Sequence, residues 1–235
     1  MNRSQHSKLV AGYFSSIAGW YDFLNHFLSF GQDIYWRKRL VRHVRTSDKG
    51  IVMDLAAGTL DVSKELLKKN PEIKVLALDY TLPMLVRGKD KVEFAGSKIF
   101  LTQADGRTLP MPDKSIDSVT IAFGIRNIVP RDEAYKEIIR VLKPGGRLCI
   151  LEFGTGKRRI WRGVYNFYLT KILPLIGRLI SRDKGAYSYL ADTIKGFPAS
   201  DELALEMKRA GFSRIFYYPL SSGIVYIHVG EKKQD

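Results

Sequence analysis

The sequence predicts an α/β protein: a mostly parallel sheet with helices on both faces. Three observations predict it. Between residues 50 and 154, short apolar runs alternate with amphipathic stretches, the pattern of strands joined by crossover helices. Two further strand-like runs follow near the C-terminus, and five plus two makes a seven-stranded sheet. The chain has 235 residues, 45% of them hydrophobic, which suits one core rather than several.

The elements follow in order. Residues 9–46 are aromatic and basic and read as an N-terminal helical cap. IVMDLA (51–56) is the first strand. DVSKELLKK (61–69) is a helix, with Asp61 as its first-turn acid and Asn70-Pro71 as its stop. KVLALD (74–79) is the second strand, 81–91 a weaker helix and IFLTQAD (99–105) the third strand. SVTIAFG (118–124) is the fourth. RDEAYKEIIRVL (131–142) puts Ala134, Ile138, Val141 and Leu142 on one helical face. KPGG (143–146) reads as a sharp turn and RLCILEF (147–153) as the fifth strand. Residues 155–198 read as a helical lid, and 199–235 as a helix and two strands. One domain, 1–235, is expected, with 50–154 as its ligand-binding core.

Composition narrows the partners. The net charge of +14 favours an anionic partner, either nucleic acid or a membrane surface, over plain solubility alone. No RNP-type aromatic motif, GXXG clamp or zinc spacing occurs, so nucleic acid is set aside. No segment approaches the roughly 20 apolar residues of a membrane span, and the N-terminus has no apolar signal core. The expected location is cytoplasmic, with peripheral contact at the inner face of the membrane. The single cysteine, Cys149, sits in LCILEF and reads as a core residue. No Cys/His cluster has metal-ligand spacing, so no metal is expected. His26, His43 and His228 are not read as bases.

Ligands of a parallel sheet bind beyond the carboxyl ends of its strands, and those ends locate the chemistry. The first strand runs into DLAAGTLD (54–61). Its small residues Ala57, Gly58 and Thr59 let the backbone approach a ligand, and Gly58 is free to turn left-handed. One glycine is too few for the G-x-G-x-x-G of a dinucleotide site, which argues against nicotinamide chemistry. The second strand ends in Asp79, 21 residues after Gly58, near the ~20 typical of an acid that binds ribose hydroxyls. A carboxylate there accepts two hydrogen bonds from a vicinal diol; Tyr80 stands beside it. The third strand ends in Asp105-Gly106, where a carboxylate is placed to accept from an adenine amino group. The fourth ends in AFGIRN (122–127): Ala122 borders the crevice, Gly124 permits a bend, and Arg126 and Asn127 are expected to face the crevice. A tight turn, a helix cap or a surface salt bridge would explain any one of these alone. Together, without a phosphate loop, they imply an adenosine that lacks phosphates. S-adenosylmethionine (SAM) is the common one.

Together these segments resemble class I SAM-dependent methyltransferases and, more narrowly, the ubiquinone/menaquinone biosynthesis C-methyltransferase family. The similarity runs from about Tyr13 to Gly230. It is carried by FSSIAGWYDFLNHFLSFG (14–31) with Trp36-Arg37, DLAAGT (54–59), LPMPDKSID (109–117), TIAFGIRN (120–127), RVLKPGGRLCILEF (140–153) and YSYLADTIKGFP (187–198). The resemblance implies a Rossmann-like fold, SAM as cofactor and a prenylated quinol as acceptor, either demethylmenaquinol or a benzoquinol precursor of ubiquinone. The chain departs from the family pattern in places. Ala57 and Leu60 stand where glycine is usual, Asp33 and Ile34 where His-Arg is frequent, and Ala122 where serine is frequent. Leu60 is expected to add bulk beside the cofactor loop and to be strained if its position needs a positive φ.

The implied chemistry is ring-carbon methylation. An oxidised quinone is electron-poor, so the acceptor should be the reduced quinol, made more nucleophilic by losing a hydroxyl proton. Arg126 is expected to stabilise the developing quinolate, Asn127 to orient the hydroxyl, and Tyr21 to pass the proton on or close the site. Residues 157–182, KRRIWRGVYNFYLTKILPLIGRLISR, divided at Pro174, read as a helix packed on the core or as a lid over an isoprenoid tail that touches anionic lipid. Two other readings stay open here: a methyltransferase for another small-molecule or lipid acceptor, and a non-catalytic protein of this fold that binds a quinone or acts as a scaffold. A homodimer also stays open.

Overall fold

A computed structural model of the chain describes residues 3–154, 189 and 192–234. Of the lid expected at 155–198, residues 189 and 192–198 are among them, and the stretch 157–182 lies outside. Three helices come first: α1 (Arg3–Ile17), α2 (Tyr21–Leu28) and α3 (Gln32–Val41). Then follow β1 (Ile51–Leu55), α4 (Asp61–Lys69), β2 (Lys74–Asp79), α5 (Leu82–Gly88), β3 (Ile99–Gln103), β4 (Ile116–Ala122), α6 (Arg131–Val141) and β5 (Leu142–Phe153). α7 (Ser200–Ala210), β6 (Arg214–Leu220) and β7 (Val225–Glu231) complete the described chain.

The seven strands form one sheet in the order β3-β2-β1-β4-β5-β7-β6. β1 to β5 pair in parallel, and β7 lies antiparallel between β5 and β6. The chain winds outward from β1 to β3 and then returns to the other side of β1 as β4. That reversal opens a crevice at the carboxyl ends of β1 and β4, where open α/β sheets bind ligands.

Period-2 alternation sends each strand's side chains to two cores. On β5, Leu148 and Ile150 join Met53, Val119 and Ile121 beneath Tyr135 and Ile138 of α6 and Leu203 and Met207 of α7. Cys149 and Leu151 join Val52, Val75 and Ile227 on the other face, under Trp36 and Leu40 of α3 and Leu66 of α4. Strands covered on both faces read as continuous apolar runs, and that is why they stand out in the sequence. In α6 the face that periodicity predicts is the buried one: Ala134, Ile138 and Val141 have no exposure. Cys149 is a buried core thiol, and burial pushes its pKa up to about 12. His228 is buried in β7, its Nε2 2.8 Å from the Ser200 carbonyl, and burial pushes it down to about 4.

Two segments differ from the sequence reading. KPGG is not a turn between elements but an irregularity within β5: pairing with β4 jumps from Ile116↔Leu142 to Ser118↔Arg147. The extra residues loop out at Gly145, whose φ is +72° and whose N–H donates to Lys232 O, as in a bulge that bends a strand. The helix expected at 81–91 is shorter. After Gly88 the chain tightens into a 3-10 stretch, Lys89–Lys98.

Candidate active site

The loop after β1 is coiled by left-handed residues at alternate positions: Ala56, Gly58 and Leu60 have φ of +56°, +54° and +67°. Gly58 takes this conformation freely, whereas Ala56 and Leu60 each bear roughly 1 kcal/mol of strain. Leu60 was expected to be strained if its position needs a positive φ, and it has one. Its bulk, however, is not beside the ligand path: the side chain is fully buried with Ala77, Leu85 and Val92. Across the crevice, a Cβ on Gly124 would lie 2.4 Å from the Ala56 Cβ. Only glycine lets the β4 loop approach the β1 loop this closely.

An open crevice lies over these strand ends, bounded by α1 and by Tyr21 of α2. Eight of the residues singled out from sequence line it: Tyr21, Gly58, Asp79, Tyr80, Asp105, Gly106, Ala122 and Asn127. Ala57, Thr59 and Arg126 are not in the lining. Ala57 donates its N–H to Leu78 O at 3.0 Å and packs beside Leu60. Thr59 is buried and donates from Oγ1 to Asp22 Oδ1 at 2.5 Å, which ties the loop to α2. The sequence reading missed the α1 contribution, Ser7, Val10, Ala11 and Phe14, along with Met84 and Ile128. α1 carries no strong apolar stripe to announce which face turns inward.

Carboxyl groups held above their usual pKa cluster at this end of the sheet, as functional sites tend to arrange. Asp54, at the end of β1, accepts from Ser63 Oγ at 2.6 Å and Thr120 Oγ1 at 3.0 Å, and burial pushes it up to about 6. Asp79 is raised by burial against the pull of its hydrogen bonds. Its Oδ2 accepts from Gly58 N–H at 2.8 Å and its Oδ1 from Thr81 N–H at 2.7 Å. The backbone thus fixes the carboxylate in the crevice wall. Asp105 also lines the crevice, but its oxygens hold Arg107, 2.9 Å from Nε and 2.6 Å from Nη2. Burial raises that acid and the guanidinium more than offsets it, so its pKa is lowered.

At the other end of the crevice the expectation for Arg126 is corrected. Its Nη1 pairs with Glu152 Oε1 at 2.7 Å and donates to Phe123 O at 2.6 Å, and its guanidinium lies 5.5 Å from the centre of the Phe153 ring. Glu152 offers a buried carboxylate at the end of β5, and a buried cation pairs rather than facing a solvent-filled crevice. Asn127 does reach the crevice, and Tyr189 donates to its Oδ1 at 3.1 Å. Burial raises the phenols of Tyr21 and Tyr189, while the Arg126 charge draws both downward. Tyr189 was not singled out, although its segment YSYLADTI was.

The lining fits SAM. Asp79 offers a fixed acceptor for a diol, while Leu55, Met84 and Ile128 offer apolar walls for a purine. Among the described residues the one lining arginine, Arg107, is engaged by Asp105, and they offer no free cationic cradle for a diphosphate.

Solved structures of this shape include methyltransferases. A SAM-dependent methyltransferase from Thermotoga maritima superposes with a TM-score of 0.68 at 18% identity, over 95% of this chain and all of that one. Among curated proteins, the ubiquinone/menaquinone biosynthesis C-methyltransferase UbiE of Geobacter sulfurreducens is 44% identical over 223 residues, 93% of this chain and 86% of that protein. The demethylmenaquinone methyltransferase of Thermus thermophilus is 42% identical over 219 residues, 93% of this chain and 99% of that protein. The model of the ubiE/COQ5 methyltransferase family matches residues 1–232, and the chain belongs to that family.

Proposed function

We propose that the crevice holds SAM against the β1 loop and presents a prenylated quinol to it from the Asn127 side. Family membership makes the chain a SAM-dependent methyltransferase that acts on a quinol ring carbon in quinone biosynthesis. What is proposed is how this site does so. One observation carries the reading: Asp79 with Gly58, and Tyr21 with Asn127, line a single continuous crevice.

Asp79 would accept from the ribose hydroxyls. Gly58, with its neighbours Ala57 and Thr59, would shape the backbone around the methionyl part. Tyr80, Asp105 and Gly106 would border the adenine, and Ala122 the reacting centre. SAM, when bound, supplies an activated methyl. The protein has then to align the ring carbon and exclude water. Asn127, oriented by Tyr189, would hold a quinol hydroxyl. Tyr21 would take part in removing its proton and would close the crevice from α2. Arg126 acts from behind the wall: its charge, fixed by Glu152, favours the ionised form of any phenol at Tyr21 and Asn127. Glu152 is thus a positioning residue.

The acceptor is proposed to be demethylmenaquinol in preference to a benzoquinol, because one relative, matched over 93% of this chain and 99% of its own, carries that activity in its name. A prenylated acceptor dissolves in lipid, and the net charge of +14 suits an enzyme that meets it at an anionic membrane surface. Among the described residues no helix is long and apolar enough to cross a membrane. Mass spectrometry of quinones from cells lacking the protein tests the reading. The expected result is accumulation of a quinone lighter by one ring methyl; an unchanged quinone profile would overturn it.

A further inference from the structure

The helical cap carries an exposed aromatic band that catalysis does not use. Trp20 (53%), Phe23 (52%), Phe27 (52%) and Tyr35 (51%) are about half exposed, and Phe30, at the tip of the α2–α3 turn, is 84% exposed. Trp20 meets Phe23 edge-on at 6.3 Å between centroids, and Phe23 stacks on Phe27 at 5.8 Å. Five rings so exposed present on the order of 500 Å² of apolar surface, as large as the largest patch of a typical monomer. Phe30 also holds φ at +52°, a left-handed conformation that bulky residues avoid. Burial does not explain a strained phenylalanine at an exposed tip. Strain kept at such a place points to a function there.

The charges around the band share one sign. Residues 1–47 contain seven cations (Arg3, Lys8, Arg37, Lys38, Arg39, Arg42 and Arg45) and two acids, Asp22 and Asp33. Both acids are engaged: Asp22 with Thr59 and Lys91 of the core, Asp33 with Arg37, Ser29 and His26 within the cap. Lys8, Lys38, Arg42 and Arg45 are exposed. Lys38 of α3 and Arg42, its C-cap residue, follow the exposed Ile34 at successive four-residue steps, so a cationic row continues from the aromatic band. On α2, Tyr21 lines the crevice while Phe23 and Phe27 face outward.

We propose that Trp20, Phe23, Phe27 and Phe30, with Lys38 and Arg42 beside them, dock the enzyme on an anionic lipid bilayer. The rings enter the head-group region and the cations meet lipid phosphates. A second copy of the chain is a poorer occupant, because two faces whose exposed charges are all positive repel. The inference rests on the reading of the acceptor as a prenylated quinol, which a docked α2 would receive on the Tyr21 side.

The test is partition of the full chain onto vesicles of phosphatidylglycerol and phosphatidylcholine, and onto phosphatidylcholine alone. The wild type is expected to prefer the anionic vesicles. Phe27→Ser with Phe30→Ser should lower its partition by about tenfold or more. Lys38→Glu with Arg42→Glu should abolish the preference for anionic lipid. Both variants should keep wild-type turnover of a short-tailed, water-soluble quinol, which also shows that they fold. Partition unchanged in both variants, or no partition of the wild type, overturns the docking. So does a Phe27→Ser, Phe30→Ser variant that turns a dimer into a monomer and still binds vesicles. Wild-type turnover of the short-tailed quinol reads the acceptor separately: its absence would sink the quinol assignment, whereas vesicle partition alone decides the docking.

Discussion

Nη1 of Arg126 lies 2.7 Å from Oε1 of Glu152, with 4% and 1% of the two side chains exposed. Two charges so enclosed are useful only as a pair, and removing one leaves the other buried without its counter-ion. The pair holds the Arg126 guanidinium behind the crevice wall, next to Asn127.

Glu152→Gln therefore separates positioning from packing. Breaking the pair should destabilise the protein by about 3 kcal/mol, a fall in Tm of roughly 6–12 °C at this size. Below the new Tm, kcat for quinol methylation should fall about 100-fold with KM for SAM unchanged. A loss of stability with kcat intact would confine Glu152 to the core. Arg126→Leu should also cut turnover by orders of magnitude with SAM binding nearly intact. It should unfold more easily too, since it strands Glu152.

Asp79→Asn tests the cofactor end. The amide keeps the shape but loses the charge that accepts from Gly58 and Thr81 and, as proposed, from the ribose. SAM affinity measured by calorimetry should fall roughly 10- to 100-fold, and stability should fall by about 1–3 kcal/mol, because one of the two backbone N–H groups then faces an amide NH2 that cannot accept. Wild-type affinity would remove Asp79 from the site.

Leu60→Gly weighs two opposed effects. Glycine relieves roughly 1 kcal/mol of left-handed strain, but it deletes a fully buried leucine, at a cost of about 2–5 kcal/mol. Burial wins, so the variant should be less stable by at least about 1 kcal/mol in urea denaturation. Its affinity for SAM should match the wild type, because the Leu60 side chain points away from the crevice. A variant of greater stability would show that strain dominates.

The buried Asp54 carboxyl gives a pH signature. Its pKa rises from the ordinary 3.8 to about 6 in the folded chain. Folding therefore binds a proton there, and this group's contribution is fully present below pH 3.8 and lost as pH rises through 6. Asp54→Asn removes the titration. Relative to wild type, its stability should improve between pH 4 and pH 7 by on the order of 2–3 kcal/mol. Parallel wild-type and variant stability curves would contradict the burial of an ionising group there.

Much of this was legible in the sequence because the relevant physics is local. β1, β2 and α4 are continuous apolar or amphipathic runs with clear stops, and their limits match the reading closely. Asp79 and Gly58 were placed together by strand-end logic alone. Arg126 was misplaced because its partner, Glu152, is 26 residues away on a different strand, and no spacing rule links them. The α1 wall escaped notice because tertiary packing, not periodicity, decides which face of that helix turns inward. Leu60 was expected beside the cofactor loop, and strained if its position needs a positive φ; it has that φ and packs against Ala57 of the loop, but its side chain is not in the crevice lining. A positive φ can be inferred from a glycine position, but the direction of Cβ depends on Leu85 and Val92, which come later in the chain.

The most direct measurement is methyl transfer by the purified protein from labelled SAM to a chemically reduced, short-tailed demethylmenaquinone, with the product weighed by mass spectrometry. A methyl on the ring carbon, formed from the quinol and not from the oxidised quinone, is the predicted result. Tight binding of SAM with no methyl reaching any quinol would contradict the account.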